Sequence, residues 1–343
     1  MNAPRSTTAP RSTAATKTRA EAAGPGAAAP TSPPRRDGLP QDGAPQNGAP
    51  LGADAPGLAG SGPWRAELAL QFRRVGARTV LTRRRHEGPL LVQRPFYPEG
   101  EAVAHTVVLH PPGGLVGGDE LALEVDVGPG AQALLTTPAA NKVYRCPRAP
   151  ARQAQEFRVA AGGMLEWLPQ ETLAFQGAKF VGTTRIHLEP GAGFFGWEVL
   201  CLGRPAAGEG FARGAWLQNT ELYCGERLLW REQARYLGGD PLLDAPWGLH
   251  GRPVSALLLV RTDEQALAAI AREAVGAAVE GPNEPILLPC GGHQGISAYR
   301  GVLVARYLGA EVEAARAWLL SLWRALRPHL VGRGAEPPRI WNC

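Results

Sequence analysis

Three times in the middle of the chain an alternating apolar strand runs into a glycine-rich turn and a second apolar stretch brings the chain back. Leu121, Leu123, Val125 and Val127 alternate with Ala122, Glu124 and Asp126, the period-two signature of a half-buried strand. Gly128-Pro129-Gly130 turns the chain, and Ala131 to Thr137 reads as the return strand. Phe157 and Val159 flank Arg158 before Gly162-Gly163 and Met164-Leu165-Glu166-Trp167. Ile186 and Leu188 flank His187 before Pro190-Gly191-Ala192-Gly193 and Phe194-Phe195. Such units, recurring at roughly 30 residues, predict repeated hairpins or layered β-sheets, because each unit must bury its apolar face on its neighbours. The expected fold class is mainly β.

Helical texture is confined to the last third. Glu264 to Val279 is Ala-rich with few strand formers. Glu311 to Leu326 places Val312, Ala315, Leu319, Leu322, Trp323 and Leu326 on one face, and Pro328 is expected to stop that helix. Between them lie a Pro/Gly-rich turn, Pro289 to Gly295, and an apolar run, Gly301 to Ala305. The expectation is two α-helices packed on the β-layers. Residues 1–63 differ: Ala, Pro and Gly dominate, as in Ala44-Pro45-Gln46-Asn47-Gly48-Ala49-Pro50. A segment with so little to bury cannot offset its chain entropy, so residues 1–63 read as a disordered extension and 64–343 as the folded domain.

Charge and cysteine usage narrow the function. The net charge of +5 is partly local, since Arg5, Arg11, Lys17, Arg19, Arg35 and Arg36 lie in the extension and Arg83, Arg84 and Arg85 form one run. Nucleic-acid binding therefore does not follow from charge. The five cysteines are odd in number, widely spaced and include no CxxC pair, so a disulfide framework is not expected and the cytoplasm is the natural compartment. No apolar stretch is long enough to span a bilayer, and no membrane association is expected.

The motifs of common chemistries are missing. No GxxxxGK[ST] string occurs. The richest glycine element, Pro111 to Asp119, runs into a strand with Asp119 and Glu120, which would repel phosphate. The seven histidines are scattered without HExxH, HxH or zinc-finger spacing. His105 and His110, five apart, should face opposite ways from one strand. No GxSxG elbow appears. Cys290 beside Gly291-Gly292-His293 is the one nucleophile-like context, and a β-scaffold hydrolase using Cys290 and His293 is the alternative reading; a small apolar cysteine in a tight turn is the favoured one. What stands out is a set of polar residues inside apolar β-segments: Lys142, Glu166, Glu171, Glu198 and Glu232. Carboxylates there either face solvent or line an internal polar space, where they would need water, partners or a cation.

The same strings carry a family resemblance. His110-Pro111-Pro112-Gly113-Gly114-Leu115-Val116-Gly117-Gly118-Asp119 resembles the HPPGGxxGGD segment of the UreD (UreH) urease accessory proteins. Thr136 to Arg145 resembles their TTPxAxKxYR block, Glu166 to Glu171 with Phe175 a third, Cys201 to Glu209 a fourth with an LGRxAxGE core, and Pro338-Arg339-Ile340-Trp341 their PRIW close. The resemblance implies a β-helical layered fold with a pair of helices and no catalytic activity. It implies binding to apo-urease and to an F-type accessory protein, which recruits the nickel-carrying GTPase of the G type. It also implies nickel in transit through an internal polar passage rather than a permanently bound cofactor. By motif position Asp119, Glu198 and Glu232 correspond to polar positions of that passage. Lys142, Gly113, Gly114, Gly117 and Gly118 correspond to its structural frame, with Lys142 expected to pair with a carboxylate.

Overall fold

In a computed structural model of the chain, the described residues are 62–262, 266–276, 286–287 and 292–342. A hairpin comes first: β1 (Arg65–Val75) and β2 (Arg78–Glu87) pair antiparallel, followed by β3 (Leu91–Val92) and β4 (Val103–Leu109). The three glycine-turn units then form successive coils. The first holds β5 (Glu120–Val127), β6 (Gln132–Thr136) and β7 (Asn141–Val143). The second holds β8 (Ala151–Val159), β9 (Met164–Leu168) and β10 (Thr172–Ala174). The third holds β11 (Lys179–Leu188) and β12 (Gly193–Leu202). Each coil stacks on the last in parallel, β5 on β8 on β11 in one layer and β6 on β9 on β12 in the next. That is a β-solenoid-like arrangement. Gly130, Gly162 and Gly191 take φ of 64°, 69° and 81° at equivalent corners, a left-handed conformation that L side chains resist. The recurring glycines thus mark the coil period.

Further strands extend both layers. β13 (Ala215–Cys224) continues parallel on β11, and β14 (Arg227–Leu237) closes a seven-stranded sheet ordered β14-β13-β11-β8-β5-β1-β2. β15 (Val254–Arg261), β16 (Ile286–Leu287), β17 (His293–Tyr299) and β18 (Val302–Gly309) extend an eleven-stranded sheet beyond β12. The apolar run at 301–305 is thus the start of a strand. Gly295, expected in a turn, instead lies within β17 opposite Arg306, because a glycine is tolerated where the ladder, not the side chain, supplies the pairing; residues 289–291 lie outside the description.

The larger sheet is covered on both faces. Its inner face meets the seven-stranded sheet in one core, which includes Leu68, Leu123, Phe157, Ile186 and Leu259. Its outer face carries α1 (Ala266–Ala274) and α2 (Val312–Val331), packed through a second core with Phe195, Trp197, Leu258, Leu319 and Leu322. Both expected helices are present. Of the expected first helix, residues 264–265 and 277–279 lie outside the description, and the helix ends at Ala274 with Val275 and Gly276 in a turn. The second does not stop at Pro328. It runs to Val331, because Leu330 and Val331 still pack on the second core and Gly332, at φ 69°, donates its N–H to the Pro328 carbonyl at 3.0 Å. A proline in the last turn interrupts only one bond of a helix already held by its apolar face.

Candidate functional site

Alternation along the seven-stranded sheet dictates what its inner face shows. One register row runs Leu68, Leu123, Gln155, Thr184, Thr220 and Glu232 across β1, β5, β8, β11, β13 and β14. The row starts apolar and turns polar halfway. Gln155, Thr184 and Thr220 are buried, yet each is an amide or hydroxyl. Across from them, Glu198 points inward from β12. A cavity of about 220 Å³ opens between the sheets here, with Leu121, Phe180 and Trp216 on its apolar side and Gln155, Thr184, Glu198, Gln218 and Glu232 on its polar side. The stacked Phe180 and Trp216 rings, 4.1 Å between centroids, keep one wall rigid.

Glu198 is the centre of this polar row. Its Oε1 lies 3.2 Å from the Thr184 hydroxyl, which also lies 3.1 Å from Gln155 Oε1, and its Oε2 accepts from the Gln218 amide. Burial pushes its pKa up to about 7, with the charge of Glu232 adding to the rise, while the bonds from Thr184 and Gln218 pull it back. One hydroxyl proton cannot serve both neighbours of Thr184 fully. While Glu198 is ionised the hydroxyl can donate to it, and Gln155 Oε1 competes for the same proton. Near neutral pH Glu198 can accept or release charge inside the cavity. Glu232 stands at the edge of the same space, paired with Arg306 from β18, whose guanidinium lies 5.3 Å over the Trp230 ring. Burial and the Glu232 carboxylate raise the neighbouring Tyr236.

Of the other sequence-nominated positions, Gly113 also lines the cavity, whereas Asp119, Lys142, Gly114, Gly117 and Gly118 lie elsewhere. Asp119 is buried beside the strand start and accepts from Trp64 N at 2.8 Å and Val116 N at 2.7 Å. It ties off the glycine loop and does not line the cavity. Within that loop Gly113 and Gly118 take φ of 74° and 95°, and a Cβ on Gly114 or Gly117 would strike the Tyr144 ring or the Ala149 carbonyl. Lys142 sits on β7, where its carbonyl accepts from Leu115 N at 2.7 Å; its ammonium forms no ion pair among the described residues, so the expected carboxylate partner is not there. Glu171 lies 3.8 Å from Arg316. Glu166 faces the helices. His105 and His110 do face opposite ways, His105 meeting Glu99 at 2.5 Å and His110 lining the cavity. Cys290 is outside the described residues, and His293 stacks on His250 with centroids 5.4 Å apart.

Sequence reasoning missed the residues that make the row polar. Gln155, Thr184 and Thr220 are unremarkable as letters; only their register across β8, β11 and β13 assembles them. Among the described residues no group of three His, Cys, Asp or Glu side chains is placed to hold a metal ion.

The family profile "UreD urease accessory protein" matches residues 65–342, all of the coils and both helices. The chain belongs to the UreD family. Urease accessory protein UreD of Dechloromonas aromatica (strain RCB) is 47% identical over 280 residues, 81% of this chain and 94% of that protein. The UreD of Azoarcus sp. (strain BH72) is 47% identical over 281 residues, and that of Pseudomonas aeruginosa (strain PAO1) is 45% identical over 292 residues, 99% of its length. A role in urease maturation follows from membership in the UreD family. The UreD-like blocks also acquire structural meanings. The PRIW close brings Trp341 onto Trp197 and Trp323 at 5.9 and 6.0 Å, with its Nε1 donating to Thr136 at 2.7 Å. The LGRxAxGE block is closed by Arg204 on Glu209 at 2.6 Å. No helix of the described residues is long and apolar enough to cross a membrane.

Proposed function

We propose that this chain is a non-catalytic cytoplasmic scaffold that binds apo-urease and an F-type accessory protein, and through the latter a G-type GTPase. Nickel, the cargo, passes to the urease active site through the polar interior between the two sheets. The observation that supports this reading is the row Gln155, Thr184, Thr220 and Glu232 facing Glu198 across the cavity. A polar row in a core that could have been apolar is costly unless something uses it. Hard oxygen donors offered one or two at a time attract a divalent cation without the closed ligand set that would trap it.

The test is reconstituted activation with apo-urease, the F-type and G-type proteins, GTP and nickel. Glu198→Gln and Glu232→Gln are expected to retain the complex in a pull-down while urease activity falls about tenfold, equivalent to about 1.4 kcal/mol. Full activity in both variants would remove the interior as the route. Failure of the wild-type chain to bind either partner, with all partners folded, would remove the scaffold role.

A further inference from the structure

Two side chains on the cavity wall carry buried ring nitrogens with no hydrogen-bond partner among the described residues, His110 and Trp167. A buried polar group that nothing meets is costly, so each calls for an account. The two are not equivalent. An indole N–H is only a donor, which a water satisfies, whereas a neutral imidazole also offers a nitrogen lone pair. Both nitrogens of His110 are orphaned, not one. A framing histidine in this protein looks different: His105, on β4, has its Nε2 on Glu99 at 2.5 Å and only its Nδ1 unmet.

We propose that His110 is a nitrogen ligand that selects a first-row transition cation over magnesium and calcium within the cavity. The proposal rests on the passage reading and adds selectivity to it. Glu198, Glu232, the hydroxyls and the amide oxygens are hard donors that suit magnesium and calcium equally. Imidazole favours nickel, and one nitrogen among scattered oxygens discriminates without holding the ion fast. His110 opens the glycine loop on the β4 side of the cavity, whereas Glu232 stands on β14 at the far edge of the facing sheet. A cation crossing the space would therefore meet both donor types.

The experiment uses the full chain in complex with apo-urease and the F-type protein, with nickel chloride and magnesium chloride as probes. His110→Leu and His110→Gln both remove the lone pair of the ring. Because the ring has no protein partner, His110→Leu should melt at or above the wild-type temperature. Calorimetric titration should show nickel affinity of the complex falling at least about tenfold in both variants, with the magnesium response unchanged. Urease activation at limiting nickel should become sensitive to excess magnesium. A clear drop in melting temperature in His110→Leu would mark a structural histidine and overturn the proposal. So would equal nickel affinity and equal magnesium sensitivity in wild type and variants. Glu198→Gln in the same assay separates the two readings. If it lowers activation while the His110 variants behave as wild type, the passage stands and selectivity by His110 falls. If Glu198→Gln and both His110 variants leave activation and nickel affinity untouched, both fall.

Discussion

Glu166 and Glu198 stand on neighbouring strands of one sheet, β9 and β12, and each is set among aromatic and aliphatic residues, yet they face opposite ways and keep opposite company. Glu166 turns toward the helices. Arg327 of α2, with 0% of its side chain exposed, reaches its two oxygens at 2.9 and 3.0 Å, and Trp323 Nε1 donates to it at 2.7 Å. The same guanidinium grips Glu99 at 2.5 and 2.8 Å and the Gly334 carbonyl. Burial alone would lower the Arg327 pKa, but the bonds from Glu99 and Glu166 more than offset it, so the cation is fixed. Glu198 has only a hydroxyl and an amide, and the charge that bears on it is that of another carboxylate, Glu232. A carboxylate that is part of the frame is neutralised by a resident cation. Glu198 is left incompletely matched, as the proposed passage of a cation requires.

The largest effect expected from breaking this contrast is on the framed side. Arg327→Leu leaves two carboxylates buried without their cation, a loss of about 3–5 kcal/mol. Urea unfolding should show the midpoint dropping accordingly, or no folded protein at all. An unchanged midpoint would mean that the network is ornamental.

Glu99 gives the next effect, with a definite sign. Burial would raise its pKa, but the bonds from His105 and Arg327 hold it at about 2, against an ordinary value of 4.5. The unfolded chain then binds the proton more readily than the folded one. This stability is fully present above pH 4.5 and is lost as pH falls toward 2, about 3 kcal/mol in all. Glu99→Gln should erase that acid slope and lower stability at neutral pH, as read from melting temperatures across a pH series.

Little in the sequence separates the two carboxylates. Alternation decides orientation only where one face of a sheet is wet, and this sheet is covered on both, so Glu166 and Glu198 read alike. The cation that distinguishes them, Arg327, is 161 residues from Glu166 and sits one residue before the proline expected to have ended the helix. The coil period was legible because left-handed corners demand glycine at a fixed spacing, the first helix because its stretch is Ala-rich with few strand formers, and the second because one face is continuously apolar. Asp119 and the loop glycines were legible as a motif, but their role is to fasten the loop: Asp119 holds two backbone N–H groups. The polar row was not legible, since Gln155, Thr184 and Thr220 acquire meaning only when parallel register stacks them.

On the open side the sign reverses. The Glu198 pKa, at about 7, lies above its ordinary 4.5, so the folded state holds the proton more tightly than the unfolded one. Stability contributed by that proton is present below pH 4.5 and declines as pH rises to 7. Glu198→Gln should therefore gain up to about 3 kcal/mol at pH 8, while urease activation falls. A variant that is more stable and less active is the signature of a residue kept for use. If Glu198→Gln is destabilised at pH 8 as Arg327→Leu is, the contrast between the two carboxylates collapses.

The smallest effect refines how Glu198 is held. The Thr184 hydroxyl favours the ionised carboxylate, so Thr184→Val should move the Glu198 midpoint further above 7 at a cost of about 1 kcal/mol in stability. Carboxyl-carbon NMR of a glutamate-labelled sample would follow that midpoint directly. Valine keeps the shape of threonine, so packing against Gln155 and Thr220 is preserved and the shift reports the hydrogen bond alone. A midpoint that stays put would show that the hydroxyl is bonded to Gln155 only. The control of charge in the cavity would then rest with Gln218, and Gln218→Leu would be the variant that moves it.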